Sequence, residues 1–367
     1  MTMAAALTAR DCFTAPTQID ALALRTVTED PTVLGNGTSD VKDNSGEGMD
    51  ADDPEGPLLA VAYSALEGNQ WHGGVTLLDS SLTERLCELQ GNTGIGAIAW
   101  CGAERNFLAC ACDNGEVRLA RLTTDVDYVF VPQAIGSETN GPVGHDDVVT
   151  GVSAFAFEKS VFATSSWDTS VKLWDVAAME KPVASFEQHN DLVWCVETNP
   201  LVAHSLASGS QDCTVLLWDD RLGEHNAAGG ASTLFPVLSM AWHPRRDHVL
   251  SVGLEDGSIM TFDARVMATP LEHHQSLHEG PVHVLKYSPF ASDLLASGGD
   301  DARICLTGDD VHNTLTNSTH SDYVRGLEWL QVRPESKDGT ERGAETLLAS
   351  GSWDKTMRSW LVQPLES

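Results

Sequence analysis

The sequence predicts an all-β fold, a seven-bladed β-propeller preceded by a disordered acidic N-terminal tail. Three observations lead to this prediction. A short motif returns along the chain at nearly constant intervals. From Pro57 onward, short alternating apolar runs are separated by Gly, Asp and Asn turns, which is typical of many short antiparallel strands. Before that point, Glu29–Glu55 contains nine acidic residues and one basic residue. We therefore divide the chain into a tail over residues 1–56 and a propeller over residues 57–367.

The repeated motif has an aspartate followed six residues later by Trp or a substitute. It appears as SSWDTSVKLWD (165–175), GSQDCTVLLWD (209–219), GLEDGSIMTFD (253–263), GGDDARICLTG (298–308) and GSWDKTMRSWL (351–361). The aspartates are 44, 44, 45 and 53 residues apart, close to the period of a four-stranded WD blade. The polar insertion Arg333–Glu345 lengthens the last interval. Two weaker copies, around Asp113 and with His72 at the turn position, bring the number of blades to seven.

A second regularity links a histidine and a hydroxyl to the turn aspartate. The histidine precedes the aspartate by 23 residues in three repeats and by 34 in the last, and a Ser or Thr precedes it by four. Together with the Trp, these groups predict one buried hydrogen-bond chain per blade. Because the Ser, His and Asp recur blade after blade, they indicate structure rather than a nucleophilic triad. The predicted tetrad residues are His145, Thr164, Asp168 and Trp174; His189, Ser208, Asp212 and Trp218; His278, Ser297 and Asp301; and His320, Ser350, Asp354 and Trp360.

Composition narrows the possible functions. The formal net charge is −31, from 53 acidic and 22 basic residues, which argues against direct nucleic-acid binding and favours cationic partners. The tail, residues 1–56, is too polar to form a buried core, so we expect it to be disordered. Eight scattered cysteines indicate reduced thiols in the cytoplasm or nucleus. Neither a secretory signal nor a membrane-spanning run is apparent, so we expect no membrane association.

The sequence offers no convincing catalytic, cofactor or metal site. Cys110 and Cys112 lack a second pair of ligands at zinc-like spacing, and His278, near His273 and His274, is already used by its blade. No glycine-rich phosphate loop precedes a helix. The chain is therefore predicted not to be an enzyme and to bind neither cofactor nor metal.

Trp71 lies outside the tetrad pattern, in the degenerate first blade. One interpretation is a core aromatic that fills this atypical blade. The other is an exposed anchor for a protein partner, since aromatic anchors dominate interface energetics. The residues alone leave both interpretations open.

Several segments resemble the WD-repeat subunit of the methylosome, the obligate companion of the type II protein arginine methyltransferase. The resemblance runs from about Leu58 to the C-terminus, and its more specific parts are the first blade and the H-x-D-[FY]-V-R segment. The matching segments are SALEGNQWHGGVTLL (64–78), GHDDVVTGVS (144–153), LLWDDR (216–221), MAWHP (240–244), HSDYVRGLEW (320–329) and GSWDKTMRSWLVQPLE (351–366).

This resemblance implies a function as well as a fold. In that family the first-blade Trp inserts into a pocket on the barrel domain of the methyltransferase, which implies a partner-binding site at Trp71 with Asn69, Gln70 and His72. The chain would be a non-catalytic scaffold of a hetero-oligomer in the cytoplasm and nucleus. It would present Arg-rich substrates, namely histone tails and the Sm-protein tails of spliceosomal particles, for symmetric methylation.

Two alternatives stay open. The pattern Trp218-Asp219-Asp220-Arg221 is a WDxR motif, which in other propellers faces the adaptor of a cullin-RING ubiquitin ligase. The chain would then be a substrate receptor of such a ligase. A few propellers hydrolyse esters, but a G-x-S-x-G nucleophile elbow is absent from this sequence.

Overall fold

The computed structural model describes residues 7–25, 57–68, 70–124, 127–133, 144–222, 227–291, 293–308, 315–332 and 344–362. Within these residues, strands form seven four-stranded antiparallel sheets. The predicted all-β, seven-bladed propeller is thereby confirmed. In the described part of the chain, no helix is both long enough and apolar enough to cross a membrane.

Each blade is a meander, and we number its strands from the channel outward. Blades 1 to 3 contain β2 (Gln18–Arg25), β3 (Leu58–Glu67), β4 (Gln70–Leu78) and β5 (Arg85–Gly91); β6 (Ile95–Cys101), β7 (Phe107–Cys112), β8 (Val117–Thr123) and β9 (Val129–Pro132); and β10 (Val149–Ala154), β11 (Val161–Ser166), β12 (Val171–Asp175) and β13 (Ala184–Phe186).

The remaining blades follow in chain order, except that the last one takes its outer strand from the N-terminus. Blades 4 to 7 contain β14 (Val193–Thr198), β15 (Ser205–Ser210), β16 (Thr214–Asp219) and β17 (Gly229–Ser232); β18 (Val237–Trp242), β19 (Val249–Leu254), β20 (Ile259–Asp263) and β21 (Glu272–His274); β22 (Val282–Tyr287), β23 (Leu295–Gly299), β24 (Ile304–Thr307) and β25 (Leu315–Asn317); and β26 (Val324–Val332), β27 (Glu345–Ser352), β28 (Thr356–Val362) and β1 (Leu7–Thr14).

The first strand of every blade packs beside the first strands of both neighbouring blades, so these strands form a closed circle around a channel. Seven separate apolar clusters fill the seven interfaces between adjacent blades. Because both faces of a blade are covered, the second strands read as runs of small and apolar residues rather than as alternating patterns. In β11, for example, every residue after Val161 is buried.

Residues 7–25 correct the predicted tail. They form β1 and β2, which pair with β28 and β3 respectively, so the boundary at residue 57 is wrong for this segment. Ile19 is fully buried and Phe13 nearly so, in the cluster between blades 7 and 1. The sequence prediction missed these two strands because the acidic segment that follows them led us to treat the whole N-terminal region as a tail. The segment Glu29–Glu55 lies outside the described residues, in chain order between β2 and β3.

The predicted tetrads come together as hydrogen-bond chains inside the blades. In blade 3, His145 Nδ1 lies 2.8 Å from Asp168 Oδ2, and its Nε2 lies 2.8 Å from Thr164 Oγ1. The indole of Trp174 donates to the same hydroxyl at 2.8 Å. Blades 4 and 7 repeat these contacts. Blade 6 has only the first three members, with no indole donor.

In each complete tetrad, one histidine tautomer gives every buried polar group a hydrogen-bond partner. Burial lowers the pKa of the His145, His189 and His320 imidazoles, which keeps them neutral. The Nδ1–H can then donate to the carboxylate, while Nε2 accepts from the hydroxyl. Burial opposes ionisation of Asp354, but hydrogen bonds from Thr356 and His320 outweigh it and lower the pKa of Asp354 to about 2.

Removing residues 1–16 should lower the melting temperature by at least about 5 °C. This deletion removes β1 and leaves the outer edge of β28 without a hydrogen-bonding partner. Each buried apolar side chain that is lost with β1 should reduce the free energy of unfolding by about 1 kcal/mol or more. Differential scanning calorimetry of the intact chain and of a version lacking only residues 1–6 provides the comparison. An unchanged melting temperature after loss of residues 1–16 would support the prediction that these residues belong to a disordered tail.

Trp174→Ala should reduce the free energy of unfolding by about 3–5 kcal/mol, because it empties a buried site and removes the indole N–H that donates to the Thr164 hydroxyl. Trp194→Ala is the matched control, since Trp194 is only half-buried and belongs to no tetrad. Urea unfolding should separate the two variants clearly. Equal losses in both would mean that the tetrad indole has no special structural role.

Candidate protein-interaction site at the channel mouth

The inner strands enclose a channel of about 780 Å³ along the propeller axis. We call the end of the propeller that carries the turn aspartates Asp168, Asp212, Asp301 and Asp354 the turn face. The channel opens on this face through two rings of side chains, which together we call the channel mouth.

The first ring arises from a β-bulge at the same position of every inner strand. In β10, the pairing with β11 passes from Val149 directly to Gly151, so that Thr150 stands outside the register. A bulge re-aims the extra side chain, and here it faces the channel. The seven bulge residues, in blade order, are Asp20, Gly96, Thr150, Trp194, Leu238, His283 and Arg325.

The second ring consists of the residue immediately before the turn aspartate. In blades 2 to 7 its backbone N–H donates to the carbonyl two positions before the bulge residue, as Trp167 donates to Val148 at 3.0 Å. This shared hydrogen bond identifies equivalent positions independently of sequence alignment. The six residues are Asp113, Trp167, Gln211, Glu255, Asp300 and Trp353.

This equivalence corrects one assignment. The sequence places Asp113 at the turn-aspartate position of blade 2, but Asn114 occupies it. The Asn114 side chain accepts from the N–H of Glu116 at 3.2 Å, as Asp168 accepts from Ser170 at 3.0 Å. Asp113 therefore belongs to the channel mouth. Its repeat lacks the usual aspartate, which is why the one-residue shift was missed.

Blade 1 differs from the others by a longer hairpin between β3 and β4. Pairing continues from Leu59 opposite Leu78 as far as Glu67 opposite Gln70. His72 consequently lies within β4, opposite Ala65, and not at a turn as the sequence suggested. The hairpin extends the turn face beside the channel mouth.

Trp71 lies near the tip of this hairpin and is 40% exposed, while its cross-strand partner Leu66 is 57% exposed. Trp71 also lines the channel mouth. This position excludes the interpretation of Trp71 as a core aromatic. Of the other predicted contact residues, His72 is half-buried in the hairpin, Asn69 lies outside the described residues, and Gln70 is described only through its backbone.

The channel mouth combines aromatic rings with carboxylates. Trp167 and Trp194 pack edge to face, with ring centroids 5.4 Å apart. Across the channel, Trp353 donates its indole N–H to Asp20 at 2.9 Å. Burial raises the pKa of Asp20 to about 7, against the opposing effects of hydrogen bonds from Ser64 and Trp353. Rings beside partly buried carboxylates are suited to a cationic ligand.

Trp167, Trp194 and Trp353 were not predicted as site residues from the sequence. The signal was present, because Trp precedes the turn aspartate in SSWD and GSWD, whereas the other repeats have Gln, Glu or Asp there. The bulge that brings Trp194 beside Trp167 has no such signal, since it depends on strand pairing.

The hydroxyl groups of the tetrads are buried in the blades. The Thr164, Ser208 and Ser350 hydroxyls of the tetrads are fully buried, which separates them from any substrate in solvent. The seven cysteines from Cys87 to Cys305 are free thiols. Burial raises the pKa of Cys101 to about 12 and that of Cys112 to about 11, so both remain protonated.

On the opposite face, the described residues contain one group of three His and carboxylate side chains close enough to share a metal ion. His204 Nδ1 lies 2.8 Å from Glu158 Oε1 and 2.9 Å from Asp220 Oδ1. The three residues come from separate connections in blades 3 and 4, and sequence spacing could not associate them. Both carboxylates lie within ion-pair distance of the same imidazole nitrogen.

The same face carries the predicted WDxR arginine. Arg221 places two nitrogens on Asp219, at 2.8 and 2.6 Å. Arg265 repeats this fork on Asp263 in the next blade, at 2.9 and 2.6 Å. Both guanidinium groups are largely exposed, at 63% and 67% of the side chain. The sequence analysis missed Arg265 because Phe262 replaces the usual Trp.

Comparison with known proteins identifies the repeats. A family model described as WD domain, G-beta repeat matches residues 138–175 and 180–219, which contain all four strands of blade 3 and the inner three strands of blade 4. A search of curated proteins finds no significant match. WD propellers typically act as non-catalytic interaction scaffolds. The chain therefore contains WD repeats, with their tetrads, within a seven-bladed β-propeller.

Proposed function

We propose that this chain is the non-catalytic, substrate-presenting scaffold of a type II protein arginine methyltransferase in a methylosome complex. The observation that carries the proposal is the exposed Trp71 on the extended hairpin of blade 1, beside an acidic and aromatic channel mouth. The proposed substrates are Arg-rich tails such as those of histones and Sm proteins.

The hairpin supplies the anchor for the enzyme. Trp71 and Leu66 form an adjacent pair of exposed apolar side chains on the two strands of a regular ladder. Because the backbone of the hairpin is held by pairing, little conformational entropy is lost when a partner covers these side chains. A large aromatic on a rigid support is the usual form of an interface hot spot.

The charge supplies the attraction for the substrate. The chain carries a net charge of −31, and the turn face carries one aspartate or more at most blades. Such a surface raises the local concentration of cationic tails and speeds their encounter at low ionic strength. An enzyme docked at the hairpin would then meet tails gathered at the adjacent channel mouth.

Trp71→Ala should weaken binding to the type II methyltransferase by at least about 2 kcal/mol, a factor of roughly thirty, while leaving the fold intact. The matched control is Phe157→Ala, because Phe157 is an exposed aromatic in the β10–β11 connection on the opposite face. Surface plasmon resonance gives the affinities, and thermal melting of the same samples reports the fold. Full binding by a stable Trp71→Ala variant would contradict the proposed anchor.

A second function is favoured by the paired arginine forks of blades 4 and 5. A substrate receptor of a cullin-RING ubiquitin ligase would use Arg221 and Arg265 on the face opposite Trp71. For this alternative, Arg221→Ala with Arg265→Ala should abolish recovery of the ligase adaptor in a pull-down without lowering the melting temperature. Arg303→Ala, which removes an arginine of the turn face, is the control. Recovery of the methyltransferase alone, unaffected by the double substitution, would eliminate the alternative.

A further inference from the structure

The fold itself builds one binding place for a guanidinium group at the channel mouth. The side chain of Arg325 is mostly buried, and its Nη2 lies 3.2 Å from Asp300 Oδ1 of the preceding blade. Its guanidinium carbon lies 4.9 Å from the ring centre of Trp353 and 5.4 Å from that of Tyr323. A carboxylate at the edge and aromatic faces alongside are what a planar cation requires.

Blades 2 and 3 repeat two parts of this arrangement at equivalent positions. The backbone N–H of Asp113 makes the hydrogen bond in blade 2 that Asp300 makes in blade 6, at 3.1 and 3.0 Å. Trp167 likewise matches Trp353, at 3.0 and 2.9 Å. The carboxylate and the indole therefore occur on consecutive blades in both places.

The third part, the cation, differs. The bulge of β26 places Arg325 between its carboxylate and its indole, whereas the bulge of β10 places Thr150 at that position. The Thr150 hydroxyl is engaged with backbone oxygens, donating to the Val193 carbonyl at 2.7 Å. Thr150 is shorter than Arg325, and Thr150, Asp113 and Trp167 all line the channel.

The indole of Trp167 also has a different neighbour. Trp353 donates its N–H to the next bulge residue, Asp20, but the next bulge residue after Trp167 is Trp194. The Trp167 Nε1 is buried and has no acceptor among the described residues. Trp194 is fixed by its own donation to Gln211 at 2.8 Å, so the edge-to-face pair is held in place.

The carboxylate of Asp113 has Arg118 as a nearby cation. Burial raises the pKa of Asp113, against the opposing effects of backbone hydrogen bonds, first from Gly94, and of the Arg118 charge. Arg118, however, already forks onto Glu116 at 2.8 and 2.9 Å. An additional cation at the mouth would stabilise the ionised form of Asp113.

We propose that the channel mouth between blades 2 and 3 binds the side chain of an arginine from a partner peptide, with the guanidinium on the Trp167 ring and directed at Asp113. This inference deepens the proposed function and rests on it for the substrate class, arginine-rich tails. The site prefers arginine to lysine, because a planar, weakly hydrated guanidinium stacks on an indole and reaches the carboxylate at once.

Isothermal titration of the full chain with an acetylated Gly-Arg-Gly-Arg-Gly amide tests the site. The same peptide with citrulline in place of arginine keeps the shape and removes the charge, and it should not bind. Asp113→Asn should weaken binding of the arginine peptide by about tenfold or more, through loss of a charge-assisted contact. Glu255→Gln is the matched control, since Glu255 holds the equivalent position in blade 5, and it should change the affinity less than about twofold.

Thr150→Arg is the decisive variant, because it should rebuild the Arg325 arrangement and block the site from within. Its thermal melting shows whether it folds, and Asp113→Asn decides the question if it does not. No binding by the parent chain, parental affinity in Asp113→Asn, or equal weakening by Glu255→Gln would overturn the proposal. Loss of methyltransferase binding in Trp71→Ala with unchanged peptide affinity separates the two proposals, as does the reverse result.

Discussion

The structure depends on closing a ring in which every sheet must bury both faces against its neighbours. No blade has an apolar face that can remain in water, so each of the seven interblade clusters needs two complete blades. At the interface between blades 7 and 1, the first and last strands of the described residues meet. Strand β1 closes it by pairing with β28, while β2 supplies the inner strand of blade 1. The N-terminal strands are therefore part of the fold and not an appendage.

Once the ring is closed, its regularity fixes where variable side chains can gather. The same bulge in all seven inner strands and the same turn hydrogen bond in six blades direct two rings of residues to one opening. In the blades with a complete tetrad, the turn aspartate is fixed by its hydrogen bond to the buried His. The His, the hydroxyl and the indole of that tetrad are hydrogen-bonded inside the blade. Stability and recognition are thus separated: the repeated geometry lies within the blades, and the side chains that differ between blades lie at the channel mouth.

Much of this could be predicted from sequence because it repeats. The spacing from His189 to Asp212, and its counterparts, predicted contacts that the structure contains. Other features depend on pairing and could not be read in advance. The strands of residues 7–25 lack the repeat motif, His72 was misplaced because the blade-1 hairpin is longer, and Asp113 was shifted because Asn114 takes the turn position. Trp167 of blade 3 packs against Trp194 because of a bulge in β14 of blade 4.

The central claim is that partners engage the turn face through the blade-1 hairpin and the channel mouth. Hydrogen–deuterium exchange of the full chain, alone and with a type II arginine methyltransferase, tests it most directly. We expect slower exchange over β3 and β4 and at the turns of blades 2 and 3, with the connections around Arg221 and Arg265 unchanged. Protection confined to those connections on the opposite face, or no protection at all, would contradict it.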